Sequence, residues 1–365
     1  MRVHGGNIPT RVNISVPEHS HTTISPHEAQ SSLDGWLRCP RCKGVVGRDG
    51  DAYHCAACGV AYPIVLGIPD FRLYEDPLIP LADDYRKGEK LQLESERRSF
   101  GELVEYYWTL PTYPPTPETL KARFVQHVLS DPKRIEGYVN SLGSGNAFLD
   151  VGCGAGALVR AIHRRFAVCV GADVGFRWLI VARRGLEEAG VPGNLVCCCA
   201  DHLPFADGLF DTVASVALLE NVPDAPAVLG ECARVLAPAG RVFVWTSNRF
   251  SLAPEPHVRI WGVGFLPRRW MPAYVHWRRG LAYEKKHLVS YGELSRGLRS
   301  AGLPIVRFIA PAVTDADLEP MGKLERLAAR IWSIVRRVPI LRRIFLPVFP
   351  VLQVIASRER ERVPS

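Results

Sequence analysis

No run in this sequence of 365 residues is long enough to cross a bilayer. The longest uncharged apolar stretch, Ile344–Ser357, has fourteen residues and two prolines, where a spanning helix needs about twenty. The first thirty residues are rich in His, Ser, Thr and Pro and hold no apolar run of signal-peptide length. Residues 1–33 therefore read as a disordered leader without an export signal. No internal repeat is visible, which leaves one large domain plus a small one, or two of ordinary size. The ten cysteines lack the look of a secreted disulfide framework: four form two CxxC pairs and six lie in apolar runs. A reducing compartment is expected, and with no export signal the cytoplasm. At 47% hydrophobic and 22% charged residues, wholesale disorder is excluded and most of the chain should bury a core.

The formal net charge of +8 is unevenly placed. Residues 321–365 carry ten Lys/Arg against three Glu, and residues 258–286 carry seven Lys/Arg against Glu284 alone. The remainder is mildly acidic, so the basicity belongs to two segments and not to the fold.

Cys39-Pro-Arg-Cys42 and Cys55-Ala-Ala-Cys58 stand twelve residues apart. Two CxxC turns on facing hairpins present four thiolates tetrahedrally, the geometry of a closed structural zinc site. A ribbon over 34–73 follows, with Cys39, Cys42, Cys55 and Cys58 as metal ligands. Such a module should fold around its zinc and leave the remainder of the chain independent of it. Residues 74–142 read as a helical linker or cap, with a Pro-rich hinge at 111–117 and a helix from Glu118 to Leu142 broken at Asp131-Pro132. Within it Tyr106, Tyr107 and Trp108 offer either a lid or core packing.

Apolar runs then alternate with helical stretches: Ala147–Val151, Val168–Ala172, Leu195–Cys199, Phe210–Val216 and Arg241–Thr246 as strands, with Ile305–Ile309 closing the series. This alternation predicts an α/β fold with a doubly wound, mostly parallel, Rossmann-like sheet over 143–312, interrupted by an aromatic and basic insertion at 247–287. Phe148-Leu-Asp-Val-Gly-Cys-Gly-Ala-Gly156 is a strand running into a glycine turn. Gly152, Gly154 and Gly156 let the backbone approach a ligand, and taken alone they suit a dinucleotide equally well. Asp150 separates the two readings, because a carboxylate there repels a pyrophosphate and suits a ligand carrying an ammonium and a sulfonium. S-adenosylmethionine is such a ligand. Asp173 ends the second strand, where an acid accepts ribose hydroxyls. Asp201 follows the third, placed to accept from an adenine amino group.

These residues, with Phe210-Asp-Thr-Val213, Leu219-Glu-Asn-Val-Pro223 and Ala233–Gly240 in order, resemble the class I S-adenosylmethionine-dependent methyltransferases, in the small-molecule and ubiquinone-type branch. The resemblance covers roughly 148–303. It implies that Asp150 and the turn Gly152, Cys153, Gly154 and Gly156 hold the methionine end, and that Asp173 with Val174 holds the ribose. It also implies Asp201, His202 and Leu203 at the adenine, with Leu218 beside the cofactor. Asn221 stands where many relatives have a histidine, so no catalytic role carries over to it. The Tyr62–Phe71 stretch resembles the tail of the small zinc-ribbon subunit that activates several methyltransferases.

Methyl transfer to oxygen calls for a nearby base, and the loop after the fifth strand supplies Glu255 and His257 as candidates. Trp261, Phe265, Trp270, Tyr274 and Trp277 give the insertion stacking surface, and its arginines favour an anionic acceptor. A small molecule, a glycan or a lipid-linked intermediate is the expected acceptor. RNA is the alternative, with the ribbon as its binding arm, and a non-catalytic scaffold a third. From 313 to 365 a basic amphipathic segment is expected. Leu324, Leu327, Ala328, Ile331, Ile334, Val335, Val338, Leu341 and Phe345 follow helical spacing among arginines. That pattern suits attachment of residues 324–357 to an anionic membrane face, peripheral to the inner side, or packing on the core or a second subunit.

Overall fold

A computed structural model describes residues 33–111, 118–255, 257–313, 318 and 322–358. The expected leader up to residue 32 and the Pro-rich stretch 112–117 lie outside the described residues.

Four short strands come first: β1 Val46–Asp49, β2 Ala52–Cys55, β3 Ala61–Val65 and β4 Ile68–Pro69, an antiparallel ribbon in sequence order. Three helices follow, α1 Leu81–Ser95, α2 Phe100–Thr109 and α3 Glu118–Ile135. Ser99 and Glu102 form a reciprocal capping box that starts α2. α3 continues through Asp131-Pro132, where the sequence suggested a break, and ends at Ile135. Tyr107 of α2 is buried and stacks on Trp178 with ring centroids 4.0 Å apart, so it packs in the core.

The alternating part contains β5 Gly145–Val151, α4 Ala157–Ile162, β6 Phe166–Asp173, α5 Phe176–Glu188, β7 Leu195–Cys197, β8 Phe210–Val216, α6 Ala225–Val235 and β9 Leu236–Ser247. It continues through α7 Met271–Arg279, α8 Tyr291–Ser300, β10 Ile305–Ile309, α9 Lys323–Val335, α10 Pro339–Phe345 and β11 Val351–Ser357. The sheet order is β10-β11-β9-β8-β5-β6-β7, parallel except that β11 runs against both its neighbours. The doubly wound architecture thus matches the sequence expectation.

Two differences matter for function. Residues 351–357, read from sequence as the end of a membrane-facing segment, are a strand buried between β9 and β10, with Leu352, Val354 and Ala356 fully covered. A short apolar run covered on both faces carries no alternation, so its periodicity could not identify it. The second concerns the ribbon. Leu33, Leu37, Tyr53, Tyr62 and Phe71 share one core with Val196, Leu203, Phe205 and Phe210 of the large sheet, so the ribbon does not stand apart. The Phe71 amide donates to the Cys197 carbonyl (2.7 Å), and Asp70 pairs with Cys197 at the sheet's β7 edge.

Because β11 fills the gap between β9 and β10, Leu352→Ala should cost about 2–5 kcal/mol, the range for truncating a buried aliphatic side chain. The midpoint of urea unfolding measures it; an unchanged midpoint would show that this strand contributes no core.

Candidate active site

From β5 the chain crosses to β6, and from β8 it crosses to β9 on the other side, so a crevice opens at the rim where these parallel strands end. There β5 delivers Asp150 and turns through Gly152, Gly154 and Gly156, at φ of +80°, +50° and +73°, a left-handed backbone that glycine adopts readily. A Cβ on Gly152 would press on Leu218 at 3.0 Å and one on Gly156 on Ala182 at 3.2 Å, whereas one on Gly154 would meet nothing within 4 Å. Gly154 is where the turn leaves room for a ligand. Cys153 beside it is buried, its sulfur against Gly171.

Asp173 ends β6 and accepts the Gly154 amide through one oxygen and the Gly175 amide through the other, both at 2.8 Å. It therefore staples the glycine turn to the loop after β6. Burial raises its pKa, against the pull of those two amides. Asp150 has no such relief. It is buried, no donor reaches its carboxylate among the described residues, and burial followed by the charge of Asp173 pushes its pKa up to about 8. A carboxylate so enclosed is unstable as an anion until a cation arrives.

The rim continues at Asp201, whose Oδ1 lies 3.0 Å from His202 Nδ1 and accepts the Tyr74 hydroxyl. Leu203 has a fully buried side chain, and its amide donates to Glu231 (2.7 Å). Its side chain thus belongs to the core. The Val174 carbonyl accepts from Arg72 Nη1 at 3.1 Å.

That contact belongs to an ion network absent from the sequence reading. Arg72 pairs with Asp70 (2.5 Å) and Asp84 (2.7 Å), and Arg177 with Asp76 (2.8 Å) and Asp84 (2.9 Å), all nearly inaccessible. Asp84 also accepts the amides of Phe176 (3.0 Å) and Arg177 (3.2 Å), capping α5 from another helix. No local signal marks a cap supplied from 92 residues upstream.

In the ribbon, both CxxC turns repeat one pattern. Lys43 and Gly59 adopt left-handed φ and donate to the carbonyls of Cys39 (2.8 Å) and Cys55 (2.9 Å). The sulfurs of Cys39 and Cys58 are 3.6 Å apart and those of Cys42 and Cys55 3.5 Å, and all four lie within 4.8 Å of one another. Tetrahedral thiolates about 2.3 Å from one ion sit about 3.8 Å apart, so this donor set fits a zinc ion. The ribbon in turn clasps the Asp201 loop. Arg38 donates to the Pro204 carbonyl and Ala206 to that of Trp36, both at 2.9 Å, while Lys43 pairs with Glu231 at 2.8 Å.

A second polar cluster lies across the ends of β8 and β9. Glu255 is buried in the insertion. One oxygen accepts the amides of His257 and Val258, both at 2.9 Å, and the other lies 2.5 Å from His257 Nδ1. Burial works against the charge of Glu255, but these partners hold its carboxyl below the ordinary value. Glu220 is buried against Thr246 (2.7 Å) and Ser247 (3.2 Å). Lys286 donates to Asn221 Oδ1 at 2.5 Å, and burial lowers its pKa despite the pull of Glu220 and Glu255. The cluster is tied to the turn Leu219–Asn221 that follows β8, where the His287 amide donates to the Glu220 carbonyl (2.8 Å).

Residues 149–244 match the family model described as a methyltransferase domain. A ubiquinone biosynthesis O-methyltransferase of Paracidovorax citrulli is 32% identical, over 58% of this chain and 82% of that protein. One from Xylella fastidiosa is 31% identical, over 68% of this chain and 92% of that protein. The chain belongs to the S-adenosylmethionine-dependent methyltransferases. Among solved structures, a methyltransferase from Thermotoga maritima aligns over 66% of this chain and 95% of its own, at 16% identity and a TM-score of 0.42.

For this methyltransferase the buried Asp150 makes a specific demand. The free protein holds Asp150 mostly protonated below about pH 8, so an ammonium bound there would favour the carboxylate and expel a proton. S-adenosylmethionine affinity should therefore rise with pH from 5.5 to 7, by up to about tenfold per unit. Asp150→Asn should flatten this rise. Calorimetry across that range checks it; a flat profile for the unaltered protein would remove Asp150 from the ammonium site.

Proposed function

We propose that this methyltransferase methylates a hydroxyl oxygen of a small, aromatic or lipid-linked acceptor, with His257 as general base and Glu255 as the residue that positions it. The carrying observation is the Glu255–His257 pair. With Nδ1 held at 2.5 Å from a buried carboxylate, the ring is oriented, and no described residue bonds its Nε2, the nitrogen that would accept the proton. The names of the two relatives, both ubiquinone biosynthesis O-methyltransferases, support an oxygen nucleophile. The insertion's own apolar core of Val258, Ile260, Val263, Met271, Val275 and Tyr283 gives the base a stable mount.

The cofactor end follows from the acids at the rim. Asp150 and the Gly152–Gly156 turn would take the methionine part, Asp173 the ribose and Asp201 with His202 the adenine. For Asp201 this requires the Tyr74 hydroxyl to yield or share its acceptor. The methyl group carries its own activation, so the protein's share of the rate comes from alignment, exclusion of water and removal of the acceptor proton. Zinc, held by Cys39, Cys42, Cys55 and Cys58, would take no part in the chemistry and would fix the ribbon that clasps the adenine-side loop.

Replacing His257 with Ala should lower kcat about 10²–10⁴-fold, the usual worth of a positioned base, and leave S-adenosylmethionine affinity unchanged. A catechol or quinol acceptor with labelled cofactor measures this, with bulk RNA as the competing substrate. Undiminished turnover would dismiss His257, and labelled RNA would dismiss the acceptor class.

Because the ribbon packs into the cofactor domain, Cys42→Ser should release about one equivalent of zinc. It should also weaken S-adenosylmethionine binding by about tenfold or more, in contrast to an independent module, whose loss would leave affinity intact. Metal analysis and calorimetry on the same preparation separate the two.

A further inference from the structure

α9 meets the body along one narrow line. Trp332 is buried, its indole N–H donates to the Pro311 carbonyl (2.9 Å), and its ring stacks on Phe349 with centroids 4.0 Å apart. The solvent side of the same helix carries Leu327, Ile331 and Ile334, and Val338 follows at the next turn, all exposed at helical spacing. α10 adds Ile340, Ile344 and Phe345, also exposed. A globular helix needs one apolar face and covers it; here a second apolar stripe is left exposed to solvent among the described residues. Residues 323–345 also hold seven Lys/Arg against Glu325 alone.

The segment just after α10 is bonded to the start of the insertion that bears Glu255 and His257. Beyond α10, the Val348 carbonyl accepts the Leu252 amide (3.0 Å), and the Pro347 and Phe349 carbonyls accept Asn248 Nδ2, both at 2.8 Å. Leu252 is exposed, and its carbonyl accepts the indole N–H of Trp261 (3.1 Å). Trp261 in turn stacks on Phe265, and both are exposed. Thus a second exposed apolar patch lies on the insertion that bears Glu255 and His257, next in space to the backbone that follows α10.

We propose that α9, α10 and the Leu252–Trp261–Phe265 patch form one docking face for an anionic lipid surface, lying in its plane with the acceptor side of the crevice turned toward the bilayer. Apolar side chains enter the headgroup boundary while the arginines meet lipid phosphates, the combination that in-plane helices use. A second copy of the chain is disfavoured by the same charges, since face-to-face pairing would bring two strongly cationic surfaces together. No helix among the described residues is long and apolar enough to cross a membrane, in keeping with attachment at the surface. The proposal goes beyond the methylation chemistry and holds whichever acceptor is used.

The test is flotation of the full chain with phosphatidylcholine vesicles containing about one-third phosphatidylglycerol, against pure phosphatidylcholine, at low and high salt. The protein should float with the anionic vesicles at low salt and much less with neutral ones or at high salt. The triple variant Leu327→Ser, Ile331→Ser, Ile334→Ser should lose flotation by about tenfold or more and keep S-adenosylmethionine affinity, which reports that it is folded. Ending the chain at Met321 is no substitute, because that removes β11 from the sheet. Absence of flotation overturns the proposal, and so does flotation that the serine variant leaves unchanged. A dimer in sedimentation that the same variant dissolves would assign the stripe to a second copy instead.

Discussion

Two arginines and three aspartates, almost wholly removed from water, hold the N-terminal part of the chain against the cofactor rim. Arg72 and Arg177 share Asp84, and each has a second carboxylate of its own in Asp70 or Asp76. Burying five charges costs several kcal/mol per ion unless every one is paired and hydrogen-bonded. Here the surplus carboxylate capacity is used. Asp84 accepts two amides at the start of α5, and Asp70 also accepts the Tyr85 hydroxyl at 2.7 Å. The network therefore joins the ribbon's tail, α1 and the loop through Val174 into one body, and the loop that would hold the ribose is braced from the ribbon's side.

The acids of the crevice divide by what already satisfies them. Asp173 spends both oxygens on backbone amides and shapes the glycine turn; no described donor reaches Asp150, whose pKa burial and the charge of Asp173 raise. Gly154 N–H belongs to the first, and the space beside its α-carbon is open. In the insertion's cluster, buried Glu220 and Glu255 act on the partly desolvated Lys286, beside an apolar core of the insertion's own.

The start of the insertion is bonded to the segment that follows the C-terminal helices, at the rim of the sheet. Asn248 and Leu252, just beyond β9, bond to the backbone of residues 347–350, just before β11. β9 and β11 are adjacent antiparallel strands, so the end of one and the start of the other lie side by side.

The strand-and-helix alternation, the glycine turn with its Asp150 and the paired CxxC turns were legible in sequence, because each is a local signal: a periodicity, a backbone conformation, a ligand spacing. Phe210–Val216 and Ile305–Ile309 fall on the predicted residues for that reason. The His257 partnership with Glu255 was half legible, since two residues so close can be named as candidates without knowing that they bond. Beyond reach were the burial of Val351–Ser357, the Asp84 cap on α5 and the packing of the ribbon into the large core. Each joins residues far apart in the chain, and only the closed sheet decides which apolar runs are covered and which are left facing water.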